Sequence, residues 1–320
     1  MSDRAYYRLA PFIQEYIYSH GWTDLRQVQA EACRVIFETD AHLLIAAGTA
    51  AGKTEAAFLP VLTLLHEAPP QTSGAMYIGP IKALINDQFD RLNDLLKEAD
   101  IPVWAWHGDV AQSQKQKLLK HPKGVLQITP ESLESLLINQ SKNLDRLFGD
   151  LRFVVIDEIY AFIGSERGCQ ILCQLARLAK LTQNQPRRIG LSATLGDYGL
   201  AEDWLRSGTP QSVITPEVKI GQRTLHLSLE HFYRSDLIRA KGDHRDAAFS
   251  PYQNYLFQQT QSRKCLIFAN NRTAAEDAIA TLRQVATAKG LPDIYHVHHG
   301  SISANLRATA EQAMRDPGPA

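Results

Sequence analysis

The stretch HLLIAAGTAAGKT at residues 42–54 is the part of the chain best suited to chemistry. An apolar run, Leu43 to Ala47, gives way to small residues and then to Gly52-Lys53-Thr54. The small side chains of Thr49, Ala50, Ala51 and Gly52 leave backbone N–H groups free to close around phosphate oxygens. A helix opening at Lys53 would add its favourable dipole. Lys53 then reaches the β- and γ-phosphates of a nucleotide, and the Thr54 hydroxyl suits a magnesium ion. The match to GxxxxGKT departs at Ala47, where the first glycine is expected. Taken alone, the stretch also reads as an Ala/Gly-rich turn entering a helix.

A second stretch, LRFVVIDE at 151–158, ends an apolar strand in two adjacent carboxylates. Strand C-termini are where an open α/β sheet gathers its ligands. In P-loop NTPases one such acid holds magnesium and a neighbour orients the attacking water; Asp157 fits the first role and Glu158 the second. An isolated Asp-Glu pair is ordinarily a solvated strand end. A strand, a GKT loop and a second strand ending in acids, in that order, make chance agreement a poor explanation.

The elements that must position these residues alternate. Apolar strand patterns fall at 42–47, 75–79, 103–106, 125–128, 152–156 and 188–192. Helical patterns fall near 25–38, 53–67, 81–98, 131–138, 167–181 and 198–206. Continuous apolar strands separated by helices predict a doubly wound parallel α/β sheet. It should occupy residues 1–210, with a connection at 211–250 that includes a strand-like LHLSLEHFY at 225–233. Strands at 264–269 and 293–300 and helices at 272–288 and 303–315 then begin a second α/β domain at 251–320, too short to close a doubly wound sheet.

Composition narrows the classes. With 320 residues, 44% hydrophobic and 21% charged, the chain reads as a two-domain globular protein. It has no membrane-length apolar run and no signal-peptide core. Its 34 basic and 34 acidic residues cancel. Zero net charge neither advertises a polynucleotide partner nor excludes a locally basic groove. Lys115, Lys117, Lys120 and Lys123 read as a solvated helix face. Cys33, Cys169, Cys173 and Cys265 do not form a disulfide framework, and a reducing cytoplasm is the expected setting. Cys169 and Cys173, one helical turn apart, read as small core residues. His296, His298 and His299 lack further ligands at zinc spacing.

Together these motifs resemble the superfamily 2 DExH-box helicases, and within them the Lhr-like branch. The resemblance covers nearly the whole chain. Leu25-Arg26-Gln27-Val28-Gln29 is similar to the adenine-reading Q-type motif, which implies that Arg26 and Gln29 contact the base. Tyr77-Ile-Gly-Pro80-Ile-Lys82 resembles motif Ia, and Thr129-Pro130-Glu131-Ser132 resembles motif Ib; both imply contacts to a nucleic-acid backbone. Trp106-His107-Gly108-Asp109 and Glu166-Arg167-Gly168 also resemble this branch. Ser192-Ala193-Thr194 resembles motif III, which implies coupling of nucleotide state to strand binding through Ser192 and Thr194. Asn270-Asn271-Arg272 resembles motif IV, and His299-Gly300-Ser301 the backbone-contacting segment after it.

The resemblance implies two RecA-like domains, the second incomplete. It implies ATP and magnesium as cofactors, single-stranded nucleic acid as partner with DNA favoured over RNA, and 3′-to-5′ movement. Asp157-Glu158-Ile159-Tyr160 departs from the family at Tyr160, where histidine usually links the nucleotide site to motif III. A phenol can hydrogen-bond but carries no imidazolium charge. No segment like motif V or VI occurs, which reads as a fragment of a longer protein. Two functional readings lead: an ATP-dependent helicase, or a module that binds ATP and nucleic acid without productive unwinding. A third, a P-loop ATPase with no nucleic-acid role, is opposed by Pro80-Ile81-Lys82, Thr129-Pro130-Glu131 and His299-Gly300-Ser301.

Overall fold

The computed structural model describes residues 2–48, 51–81, 85, 93, 95–96, 101–193, 196–217, 226–233, 249–261 and 263–316. Thr49, Ala50, Lys82, Thr194 and most of the helix expected at 81–98 lie outside them. The chain divides into two compact units, Met1–Gln222 and Arg223–Ala320.

The first unit is built on a seven-stranded sheet in the order β3-β4-β2-β5-β6-β1-β7. Its strands are β1 His42–Ala46, β2 Ser73–Ile78, β3 Val103–Trp106, β4 Gly124–Ile128, β5 Phe153–Ile156, β6 Arg187–Ser192 and β7 Val213–Ile214. Every pairing is parallel, as a doubly wound RecA-like sheet requires. Alternation sorts the apolar residues to two faces. Leu43, Ile45, Ala75, Tyr77 and Val155 pack with helices Pro11–Ser19, Gln27–Glu38 and Lys53–Glu67. Leu44, Met76, Val154 and Ile156 pack with Pro130–Asn139, Glu166–Thr182 and Tyr198–Arg206. Each large aliphatic residue so buried contributes about 1.5–3 kcal/mol.

Two consecutive arginines at the start of β6 plug two helix ends on opposite faces. Arg187 donates to Val35 O (2.8 Å), Ile36 O (2.9 Å) and Ala41 O (2.5 Å), at and just beyond the C-terminus of Gln27–Glu38. Arg188 donates to Leu205 O (2.9 Å) and Ser207 O (2.8 Å), at the C-terminus of Tyr198–Arg206. Each cation thus meets orphan carbonyls at the negative end of a helix dipole.

His42, at the start of β1, lies between them. Its Nδ1 accepts from the Arg188 N–H (3.0 Å), so its proton sits on Nε2 and faces Thr209 Oγ1 (2.8 Å). Burial first, and the nearby arginines second, push its pKa down to about 4. The unfolded chain therefore takes up this proton before the folded one. Stability from His42 is present above about pH 6.5 and is lost as pH falls toward 4. At about 1.4 kcal/mol per tenfold change in proton affinity, the loss is on the order of 2–3 kcal/mol. Urea midpoints measured between pH 7 and 4 should show it, and His42→Asn should lack that share of the decline.

Gly168 opens the Glu166–Thr182 helix where no side chain fits. A Cβ there would stand 1.9 Å from Phe162 O. Gly168→Ala should therefore lower stability by at least the ~1–3 kcal/mol typical of overpacking. An unchanged urea midpoint would show slack in this contact that the geometry does not.

Several sequence expectations need correction. Cys169 and Cys173 are exposed. The buried stripe of their helix runs through Gly168, Ile171, Gln174, Leu175 and Leu178, and both cysteines fall beside it. No strand forms among the described residues at 226–233, 264–269 or 293–300. Leu227 and Leu229 of the first segment are 85% and 97% exposed. Alternating apolar residues make a strand only where a neighbour supplies the ladder of N–H and C=O partners. The sequence reading also passed over helices Ser2–Arg8 and Pro11–Ser19 and the short edge strand β7.

The second unit holds helices Pro251–Thr260, Arg272–Ala288 and Ala304–Arg315. Phe257, Leu282, Val285, Ala286 and Tyr295 form its small core. The Tyr295 hydroxyl meets Thr260 Oγ1 at 3.1 Å.

Candidate nucleotide and nucleic-acid site

Three adjacent strands bring the phosphate loop and the acids together. Ala46 of β1 pairs with Ser192 of β6, and Ile156 of β5 pairs with Gly190 of β6. The loop leaves β1, Asp157-Glu158 leave β5, and Ser192-Ala193 end the strand between them. All three exits lie on the C-terminal edge of the sheet, where doubly wound folds collect ligands.

The loop is shaped by its last glycine. Gly52 has φ +81°, and the Lys53–Glu67 helix starts directly after it. A Cβ at Gly52 would lie 2.8 Å from Gln29 Nε2 and 3.5 Å from Arg26 Nη1. The two Q-type residues therefore pack on the loop itself. Gln29 is buried, and its Oε1 accepts the Arg26 N–H at 2.9 Å. Ala47 has no need to be glycine, because it prolongs β1: it is buried and its N–H donates to Ser192 O at 3.1 Å. Ala51 and Thr54 are half-buried beside these residues. The Lys53 ammonium donates to Ala47 O (2.9 Å) and Gly48 O (3.2 Å). Burial lowers its pKa, and the carboxylates of Glu158 and Asp157 pull the other way.

The acids are held differently from each other. Asp157 is buried; its Oδ2 accepts the Tyr77 hydroxyl at 2.5 Å and its Oδ1 the Glu158 N–H at 2.9 Å. Glu158 occupies the left-handed region at φ +48°, a conformation that side chains other than glycine adopt at a cost. The Ala193 N–H donates to its carboxylate. Its Oε2 is buried and has no hydrogen-bond partner among the described residues. Burial, and then the neighbouring Asp157, raise the Glu158 pKa, with Lys53 opposing. A buried acceptor left unsatisfied calls for a missing partner. A bound water or a metal-bound oxygen at this point would supply one, so the donor set fits a nucleotide-magnesium group.

The other half of the same edge comes from β2 and β4. Pro80 follows β2, and Thr129 follows β4 and caps the Pro130–Asn139 helix by accepting the Ser132 N–H at 3.3 Å. Arg167 ties these exits together. It donates to Pro80 O (2.7 Å) and to Glu131 Oε1 (2.7 Å). The Pro130 carbonyl accepts from Gln174 Nε2 at 2.9 Å. Glu131 is thereby engaged in an internal ion pair, with its pKa lowered although burial pulls the other way. Ser192 is fully buried, whereas Tyr160 is exposed on a short 3-10 turn.

In the second unit Arg272 donates to Ser301 Oγ. His299 Nδ1 accepts the Ser301 N–H (3.2 Å), so its Nε2–H donates to Glu276 (3.0 Å). Asn270 is exposed beside Asn271, which caps the Arg272–Ala288 helix, and Gly300 has open space where a Cβ would be. Asn270, Arg272, His299 and Ser301 thus belong to loop ends and helix starts of one unit.

Sequence reasoning left two of these residues without a role. Tyr77, fully buried in an apolar strand, has a phenol that needs a polar partner; that requirement was the available signal for Asp157. Arg167 carries no local signal for bonds to Pro80 and Glu131, which lie 87 and 36 positions away.

Comparison with known proteins agrees with this geometry. A sequence model of the DEAD/DEAH box helicase family matches residues 26–201, more than half of the chain. The Lhr helicase/uracil glycosylase of Escherichia coli (strain K12) is 28% identical over 86% of this chain and 21% of its own length. The ATP-dependent helicase Lhr-Core of Saccharolobus solfataricus is 27% identical over 98% of this chain and 37% of its own length. The chain thus spans between about a fifth and two-fifths of these relatives. The structure of Mycobacterium smegmatis helicase Lhr bound to ssDNA and AMP-PNP superposes with a TM-score of 0.74 at 26% identity. It covers 95% of this chain and 40% of that one. The DEAD-box helicase Mss116 bound to ssRNA and UDP-BeF shares the fold, with a TM-score of 0.71 at 17% identity, over 95% of this chain and 61% of that one.

Proposed function

Because the chain belongs to the DEAD/DEAH box helicase family, we infer that it is the ATP-binding, nucleic-acid-engaging part of an ATP-dependent helicase of the Lhr-like type. The observation that carries this reading is the junction of the Gly52-Lys53-Thr54 loop, Asp157-Glu158 and Ser192-Ala193 on three adjacent strand ends. Arg26 and Gln29, packed on Gly52, select adenine. The loop from Thr49 to Thr54 cradles the phosphates, with Lys53 turning from loop carbonyls to phosphate oxygens. Thr54 and Asp157 hold magnesium, which neutralises charge on the phosphates when bound. Glu158 takes a hydrogen of the attacking water on its unpartnered Oε2. Ser192 and Thr194 relay the nucleotide state.

A single strand lies along the other half of the edge, touching Pro80, Lys82 and the Thr129-Pro130 helix start. In the second unit Asn270, Arg272, His299, Gly300 and Ser301 provide further backbone contacts. Glu131 acts here as the anchor of Arg167. The ssDNA in the Lhr structure supports DNA over RNA, and its AMP-PNP supports ATP as the nucleotide. The domain limits we assign are 1–210, a connection at 211–250 and 251–320. A cytoplasmic setting is part of this reading; no helix among the described residues is long and apolar enough to cross a membrane.

Contacts of this kind grip phosphates and do not read bases. Binding of fluorescent single-stranded oligonucleotides should weaken steeply with salt, with a log–log slope of about −0.7 per phosphate contact. It should vary little between base sequences and favour DNA over matched RNA. A strong preference for one base sequence would defeat this part of the reading.

Tyr160 favours the second reading. It is exposed and makes no hydrogen bond among the described residues. A module that binds both ligands but does not convert hydrolysis into strand separation would tolerate such a residue. An unwinding assay on the intact polypeptide, with Tyr160→His in parallel, separates the two. Unwinding gained only in the histidine variant selects the binding module.

A further inference from the structure

At the opposite edge of the first unit's sheet lies a cavity of about 230 Å³ with a mixed lining, its apolar wall made by Leu175, Ala176, Ala179 and Pro186. Lys180, from the end of the Glu166–Thr182 helix, Gln185, Arg188 of β6 and Thr209 line it. It is remote from the strand ends that carry the phosphate loop and the acids, and nothing in the proposed function uses it.

Arg188 is the unusual member. It is only 5% exposed. Its Nη1 uses both hydrogens on Leu205 O and Ser207 O. The Nε–H and the Nη2 hydrogens have no partner among the described residues. That edge of a guanidinium is the one that grips two oxygens of a single anion side by side. Neither nitrogen belongs to the sealed and unsatisfied atoms, so the edge opens on space. Capping a helix would leave it idle.

Arg188 and Lys180 are the charged residues among the described ones that line the cavity, and none of these is an acid. Among the described residues Arg188 forms no ion pair, and burial alone brings its pKa down to about 10. His42, which faces Thr209, is kept neutral partly by this charge. Lys180 is exposed at the rim and also lacks an ion pair among the described residues. A buried cation normally has a paired anion. Here the space for one is present and no described residue supplies the anion.

We propose that this cavity binds a small oxyanion, held side-on by the Nε and Nη2 hydrogens of Arg188 and closed over by Lys180. Inorganic phosphate, sulfate and acetate share the required pair of oxygens. Comparing the three tells a tetrahedral ligand from a planar carboxylate.

The test is thermal unfolding of the 320-residue chain against each anion, with chloride holding ionic strength constant. It is run on Lys53→Ala as well, so that anion capture by the phosphate loop is removed. Phosphate, sulfate or acetate should raise the midpoint in both chains where chloride does not. Arg188→Met should weaken the apparent affinity more than about tenfold, the effect of losing hydrogen bonds to a charge. Lys180→Ser should weaken it about two- to fivefold, as for an exposed ion pair, and Lys180→Arg should restore it. If Arg188→Met does not fold, the Lys180 pair decides. A response equal to that of chloride overturns the proposal. So does one abolished by Lys53→Ala, or one unmoved by the Arg188 and Lys180 changes.

Discussion

Glu158→Gln should lower ATP turnover by about 10²- to 10⁴-fold, the usual contribution of a positioned general base, while ATP still binds. The geometry makes the change selective. The Ala193 backbone amide favours the charged carboxylate, and Oε2 is buried without a partner among the described residues. An amide can keep the first interaction, but it then presents N–H where the water's hydrogen must be accepted. Burial and Asp157 raise the Glu158 pKa. The acid limb of the wild-type pH–rate profile should therefore lie above the ordinary carboxylate range. Phosphate release measured at saturating single strand checks both points. Full turnover by the variant would show that some other group orients the water.

Lys53→Ala should weaken ATP binding roughly 10- to 150-fold, the equivalent of about 1.5–3 kcal/mol for hydrogen bonds to a charged group. Lys53 is half-buried on loop carbonyls 2.9 and 3.2 Å away, so its ammonium is already inside the loop that must receive the phosphates. Removing it has a second consequence. Lys53 is the cation that opposes the raised pKa of Glu158, so the variant's Glu158 should hold its proton more tightly still. Titration calorimetry with ATP and magnesium gives the first effect. An affinity equal to the wild type's would dismiss the phosphate-loop assignment.

The parallel sheet was legible because six of its strands, β1 to β6, are short continuous apolar runs, each read within two residues of its observed limits. The loop and the acids were legible because backbone geometry dictates residue type: glycine where φ is positive, carboxylates where a strand ends. The strand order was not. Nothing local tells Ile156 and Ala46 that Gly190 and Ser192 lie between them. Tyr77 on Asp157 and Arg167 on Pro80 are hidden for the same reason, since each bond spans about eighty positions. The failures at 226–233 and 264–269 have the converse cause. An alternating pattern such as 226–233 or a continuous apolar run such as 264–269 offers side chains for burial, but a strand exists only when a second backbone completes it. Cys169 and Cys173 show that small apolar residues on a helix do not declare which side they take.

The start of the Glu166–Thr182 helix has a consequence for entropy. Arg167 fastens the exits of β2 and β4, and Gly168 lets the helix press against Phe162 in the segment that follows the acids. Three connections that would each sample many shapes if left alone are immobilised as one when the chain folds. Their loss of conformational freedom belongs to folding, so a ligand arriving at this edge does not have to order them again. Preorganisation of this kind would let a few backbone contacts hold the strand proposed for this edge without reading its sequence.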